Sequence, residues 1–293
     1  MHDPNGAPST GLPPITTAVV TDSTAHLSQR EVDELGMQVV PLEVVISGQT
    51  GLDMIDIDAD RVAAALRARE PVTTSRPAPA RFLAAYEQAR HDGAQEVVSI
   101  HLSGELSGTV DAARIAAREA TLPVTVIDSR QIGLGLGFAA MAAAEAAQAG
   151  ATAEEAAAQA TSTAASTSML FYVDTLEYLR RGGRIGAASA MVGGVLAVKP
   201  LLEVADGRIE PLEKVRTASR ALDRLVAVAA GRAGDRRVQI CVHHMAAPER
   251  AQQVRQALVE QVPHADPTLV RELGAVIGAH VGPGVVAVVV APT

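Results

Sequence analysis

Short β-branched runs alternate with Ala-rich helical stretches over residues 15–150, and that alternation restricts the folds open to the chain. Residues 15–21, 37–46, 96–102 and 123–127 read as strands, the second kinked at Pro41. Residues 58–69, 77–89, 107–120 and 137–149 read as helices. The first of these has acids in its opening turn, and the second is opened by prolines and closed near Gly93. Such a repeat builds a mostly parallel sheet covered by helices. After a further Ala-rich helix over 153–165 the texture changes. A strand over 169–173 leads into a helix from 174 that stops at Arg181-Gly182-Gly183-Arg184. Residues 199–205 and 209–215, joined by Asp206-Gly207, read as a hairpin. Helices over 218–229 and 248–261 and strands over 238–243, 269–273 and 285–290 complete the chain. The expected organisation is a flexible extension over 1–14, an N-terminal α/β domain over 15–165 and a C-terminal α+β domain over 166–293. The length of 293 residues fits two cores better than one.

Composition removes several function classes. Hydrophobic residues make up 48% of the chain, but aromatics only 2%, with no Trp. Stacking platforms for bases are therefore hard to build, and a net charge of −8 disfavours nucleic acid and anionic membrane surfaces. The single Cys241 lies in an apolar run and reads as a buried thiol. The first 14 residues lack the basic and apolar regions of a signal peptide, and the longest apolar stretches, 137–149 and 281–292, are too short to span a bilayer. A cytoplasmic protein that is not integral to a membrane is expected.

Several familiar patterns are present but incomplete. Gly135-Leu136-Gly137-Phe138-Ala139-Ala140 fits a dinucleotide fingerprint, yet the residues from Asp128 to Gly133 intervene after the preceding strand, and the acids downstream fall on a helix. Asp56, Asp58 and Asp60 open like a calcium loop, but Arg61 and Arg67 occupy the positions that need Gly and Glu, so a helix N-terminus explains the run better. His243-His244 has no third ligand at a metal spacing. No nucleophile elbow and no phosphate-loop lysine motif occurs. No cofactor or metal is expected.

The informative stretches are polar loops beside predicted strands and helices. Ser103, Gly104, Ser107, Gly108 and Thr109 follow one strand and open a helix. Free N–H groups there suit an anion, and Gly108 permits close approach; without a lysine, a carboxylate fits better than a triphosphate. Ser107 would also serve as an ordinary helix cap. Thr73-Thr74-Ser75-Arg76-Pro77 reads as a second hydroxyl-rich loop, again with a cap as the plain alternative. Asp22-Ser23-Thr24 ends the first strand, and the three loops are expected to converge at the carboxyl edge of one parallel sheet. Arg180, Arg181 and Arg184 flank a glycine turn, Arg216 follows a strand, and His280 sits in a predicted glycine loop over 277–284. Arginines suit phosphate or carboxylate, and the turn should leave the Arg184 guanidinium free to reach outward to a partner. A second function class stays open: a hydrolase or acyltransferase with Ser107 as nucleophile, His280 as base and Asp22 as orienter.

Taken in order, Val20-Thr21-Asp22-Ser23, Pro41-Leu42, Thr74-Ser75-Arg76-Pro77, Leu106-Ser107-Gly108-Thr109, Val126-Ile127-Asp128-Ser129, Leu179-Arg180-Arg181-Gly182-Gly183-Arg184-Ile185, Lys199-Pro200-Leu201-Leu202, Lys214-Val215-Arg216 and the stretch from Gly278 to Gly284 resemble the motifs of the DegV family of bacterial fatty-acid-binding proteins. The resemblance runs over nearly the whole chain. It implies an α/β domain followed by an α+β domain, with one long-chain fatty acid such as palmitate, stearate or oleate buried in the protein. It also implies a partner fatty acid kinase that phosphorylates the bound acid for lipid synthesis. By resemblance, Thr74, Ser75, Ser107, Gly108 and His280 surround the carboxylate. Arg184 and Arg216, with His280 beside them, meet the phosphoryl group or the kinase. Two departures stand out: Gly104 where the family often has Ser, and Val281 where Thr usually precedes Gly-Pro-Gly.

Overall fold

The computed structural model describes residues 16–191 and 199–293. The expected extension over 1–14 lies outside the described residues. The first half runs β1 (Thr17–Asp22), a short 3-10 turn (Ser23–Ala25), α1 (Gln29–Leu35), β2 (Gln38–Val40), β3 (Glu43–Ile46), β4 (Gln49–Leu52), α2 (Ala59–Arg67), β5 (Val72–Ser75), α3 (Pro79–His91), β6 (Glu96–His101), α4 (Thr109–Ala117), β7 (Val124–Asp128), α5 (Leu134–Gln148) and α6 (Ala153–Ser166). The second half runs β8 (Ser168–Tyr172), α7 (Glu177–Arg181), β9 (Lys199–Ala205), β10 (Arg208–Val215), α8 (Ala218–Ala233), β11 (Val238–His244), α9 (Pro248–Gln261), β12 (Leu269–Glu272), α10 (Ala275–Val281) and β13 (Val286–Pro292).

The fold is mixed α/β, as expected: a four-stranded parallel sheet in the order β2-β1-β6-β7 and a six-stranded mixed sheet in the order β10-β9-β8-β13-β11-β12. Period-2 alternation decides which side chains serve which layer. On the parallel sheet, Val19, Val98 and Ile100 face the main core, whereas Val20 and Val97 face Phe82 and Tyr86 of α3 and Ala112 and Ala113 of α4. On the second sheet, Met169, Phe171, Ala287 and Val289 face the main core, and Leu170, Tyr172, Val286, Val288 and Val290 pack toward α8 and α9. Helices α5 and α6 contact both sheets. The sequence of α5 suits that place, because residues from Leu134 to Ala140 are all buried.

The partial motifs resolve into structural roles. Gly133 and Gly137 let α5 start beneath the 3-10 turn: a Cβ on Gly137 would lie 2.5 Å from the Ala25 carbonyl. The buried His243 accepts the Leu134 amide at 3.1 Å through Nε2. Asp58 caps α2 by accepting the Arg61 amide at 2.8 Å.

Three local expectations change. The strand expected over 37–46 is two strands, β2 in the parallel sheet and β3 in an antiparallel sheet ordered β4-β3-β5. The break falls at Pro41, which has no N–H for a ladder. The hydroxyl loop expected over 73–77 is largely β5, paired with β3 rather than placed at the edge of the parallel sheet. The glycine loop expected over 277–284 is mostly α10, ended by Gly282 at φ +76°.

Candidate functional site

Between the two sheets lies a cleft. Its walls are apolar and mostly aliphatic. Met169, Phe171 and Ala287 come from the inner face of the mixed sheet, Val204 and Ile209 from the β9–β10 hairpin, and Val276 and Ile277 from α10. Leu102 and Leu106 close it from the parallel-sheet side. Polar side chains enter from few segments: Thr74 and Ser75 on β5, then Arg76, Ser107, Arg184 and His280.

These polar groups touch one another. His280 Nε2 is 2.8 Å from Thr74 Oγ1. Its Nδ1 is buried, finds no hydrogen-bond partner among the described residues, and packs against Gly182, where a Cβ would overlap the ring. Arg184 donates from Nε to the Leu106 carbonyl at 3.0 Å and from Nη1 to the Gly182 carbonyl at 2.6 Å. Ser107 Oγ lies 2.8 Å from Thr109 Oγ1. Burial, reinforced by the nearby Arg184 charge, lowers the His280 pKa to about 4, so its ring is neutral near pH 7.

The helix start beside Ser107 is open. The residue preceding α4 is Gly108, with no side-chain cap, and the Ser107 hydroxyl is bonded to another hydroxyl rather than to a backbone N–H. The plain capping role for Ser107 is therefore not what the chain uses. A Cβ on Gly108 would come within 2.6 Å of Arg76 Nη1, which places that guanidinium against the helix start. Arg76 forms no ion pair among the described residues.

Thr74, Ser75, Ser107, His280 and Arg184 thus line one cleft, with Gly108 at its edge. Strand alternation separates two neighbours that a loop would have allowed to act together. Thr74 faces His280, whereas the Ser75 hydroxyl donates to Glu43 on β3 at 3.0 Å. Arg216 is exposed after β10 and lies outside the lining. The outward reach expected of Arg184 is corrected: it turns into the cleft, while Arg180 and Arg181 pair with Glu177 at 2.8 and 2.7 Å on the surface. Those ion pairs relieve the repulsion that would keep three arginines out of a pocket.

The Ser107–His280–Asp22 triad does not assemble. Asp22 is fully buried and pairs with His101 Nδ1 at 3.0 Å, while Ser107 and His280 bond to Thr109 and Thr74. Sequence alone gives Arg76 no role of its own; it belongs to the Thr74-Ser75-Arg76-Pro77 stretch, and only β5 pairing reveals where it leads.

The model of the DegV family matches residues 16–293. The chain belongs to the DegV family. A DegV domain-containing protein of Streptomyces coelicolor is 54% identical over 273 residues, covering 93% of this chain and 97% of that one. A DegV family protein from Thermus thermophilus, described by its fatty acid binding, superposes with a TM-score of 0.90 at 34% identity, covering 95% of this chain and 100% of the other. DegV from Bacillus subtilis, described as a fatty acid binding protein, gives 0.87 at 30% identity, covering 95% and 99%.

The two departures from the DegV motifs have local settings. Gly104 donates its amide to Asp128 at 3.1 Å, and a Cβ there would lie 2.9 Å from the same carboxylate, so Gly lets Asp128 sit on the loop. Val281 is buried in the apolar lining of the cleft. Among the described residues, no helix is long and apolar enough to cross a membrane.

Proposed function

We propose that this protein binds one long-chain fatty acid, such as palmitate, stearate or oleate, and presents it to a partner fatty acid kinase without chemistry of its own. The observation that carries the reading is an aliphatic cleft meeting a cluster of hydroxyl, imidazole and guanidinium groups beside an uncapped helix start. Burying a chain of roughly fourteen methylenes contributes on the order of 11 kcal/mol before the costs of association. The carboxylate falls to Thr74, Ser107, Gly108 and His280, with Arg76 supplying charge and Ser75 at the rim. Arg184 and Arg216 belong to the side where a phosphoryl donor approaches. The kinase partner rests on the family resemblance. Among the described residues of the site, no nucleophile is aligned with a base, which disfavours the hydrolase reading.

Mass spectrometry of protein purified without detergent, followed by organic extraction, should find one fatty acid per chain. Ser107→Ala should then weaken palmitate by about 1.5–3 kcal/mol, the cost of losing a hydrogen bond to a charged group, with little change in melting temperature. An empty extract together with no uptake of added palmitate would end the proposal.

His280 supplies a second test. In the lipid-free protein its ring should titrate near pH 4. A bound carboxylate favours the imidazolium, so palmitate should move that midpoint upward. Histidine NMR titrations with and without palmitate measure it, and an unmoved midpoint would place the carboxylate elsewhere.

A further inference from the structure

Ser103 is fully buried and does not line the cleft, yet it joins both parts of it. Its amide donates to the Gln131 carbonyl at 2.9 Å, and its own carbonyl accepts the amides of Leu106 at 3.0 Å and Ser107 at 3.1 Å. The loop carrying Ser107 is thus a turn folded back on Ser103. The Ser103 hydroxyl accepts the Glu105 amide at 3.2 Å and donates to the Gly207 carbonyl at 2.7 Å. Gly207 lies in the turn between β9 and β10, whose Val204 and Ile209 form part of the apolar wall. That approach needs glycine twice over: φ is +79°, and a Cβ would overlap Ser103 Oγ.

We infer that Ser103 is a positioning residue for carboxylate recognition, fixing the spacing between the Ser107 turn and the hairpin wall. A buried hydroxyl bridging two segments far apart in sequence sets their relative position more firmly than the exposed Glu105–Arg208 pair beside it, 3.0 Å apart and open to water. Without the hydroxyl, the turn loses its tether to the hairpin, and Ser107 and the start of α4 lose register with an acid whose chain lies against Val204 and Ile209. Effects should therefore fall on ligands that carry a carboxylate.

The inference rests on the fatty-acid reading, and its test separates the two. Palmitate and 1-hexadecanol share a chain and differ at the head group. Ser103→Ala should weaken palmitate about tenfold, equivalent to about 1.4 kcal/mol, and leave hexadecanol within about twofold, so that the preference for the acid collapses. Gly207→Ala, which keeps the hydroxyl but forces the segments apart, should reproduce that loss and guards against a Ser103 variant that fails to fold. Restoration of the preference in Ser103→Thr would support the tether directly. Equal weakening of both ligands, or palmitate binding at the wild-type level in both alanine variants, would overturn the role of Ser103 while leaving fatty-acid binding in place. Wild-type protein that binds neither ligand would overturn both.

Discussion

Asp22→Ala is expected to cost about 3–5 kcal/mol of folding stability, the usual consequence of removing one partner from a buried polar pair. The carboxyl is fully buried and saturated. One oxygen faces His101 Nδ1 at 3.0 Å and accepts the Leu102 amide at 3.1 Å; the other accepts the Thr24 amide at 3.1 Å and the Thr24 hydroxyl. His101 continues through Ser99, at 2.7 Å, to the Tyr86 hydroxyl, 2.8 Å further on. Alanine would strand these groups where water cannot replace the carboxyl. For a chain of this size the melting midpoint should fall by about 10 °C. Urea unfolding with protein that has been stripped of lipid measures the loss. A stability within about 1 kcal/mol of wild type would show that the network contributes little. The same variant bears on the triad: an orienter of His280 would be needed for turnover, whereas a structural Asp22 is needed for folding.

Acidification should destabilise the protein between about pH 6.5 and pH 4, with His26 as a principal cause. His26 is buried, its ring 5.3 Å from that of His243. Its carbonyl accepts Arg271 at 2.6 Å. Burial, and then the Arg271 charge, lowers its pKa from 6.5 to about 4. Burial also holds the neighbouring His243 well below its ordinary value. In the unfolded chain both rings take up a proton near pH 6.5, while in the folded state they resist it. The unfolded state therefore binds more protons across this window, and stability declines as pH falls. A difference of about 2.5 pH units amounts to roughly 3 kcal/mol for His26 alone by pH 4, and nothing is lost above about 6.5. His26→Asn should flatten the dependence; Asn is chosen because the backbone here is left-handed, φ 53°, a conformation that Asn tolerates. Unfolding curves at half-unit steps from pH 4 to 8 give the comparison. Parallel profiles for wild type and variant would remove His26 as a cause.

How much of this was legible beforehand depends on the range of the forces involved. Strand and helix patterns are local, and the alternation before residue 150 and the Asp206-Gly207 hairpin both appear as expected. The apolar, Ala-rich stretch that becomes α5 announced a helix, though not that it would lie between two sheets. Ser107 and Thr74 were visible because hydroxyls beside glycine or proline at an element boundary are local signals too. Asp206-Gly207 signals a turn by itself, and only the fold shows that Gly207 also admits Ser103.

What sequence alone determined was the class of fold, with a parallel sheet in the first half and a hairpin-bearing sheet in the second, and several of the polar stretches that line the cleft. Tertiary structure decided the rest. It made β5 a strand, so that alternation turns Thr74 inward and Ser75 toward Glu43. It gave Asp22 to His101 rather than to His280, and it turned Arg184 into the cleft while Glu177 kept Arg180 and Arg181 outside. Each of these outcomes depends on a partner far away in the chain. Hydrogen bonds and burial act over a few ångströms in space, and a linear pattern records only the neighbours that the chain itself supplies.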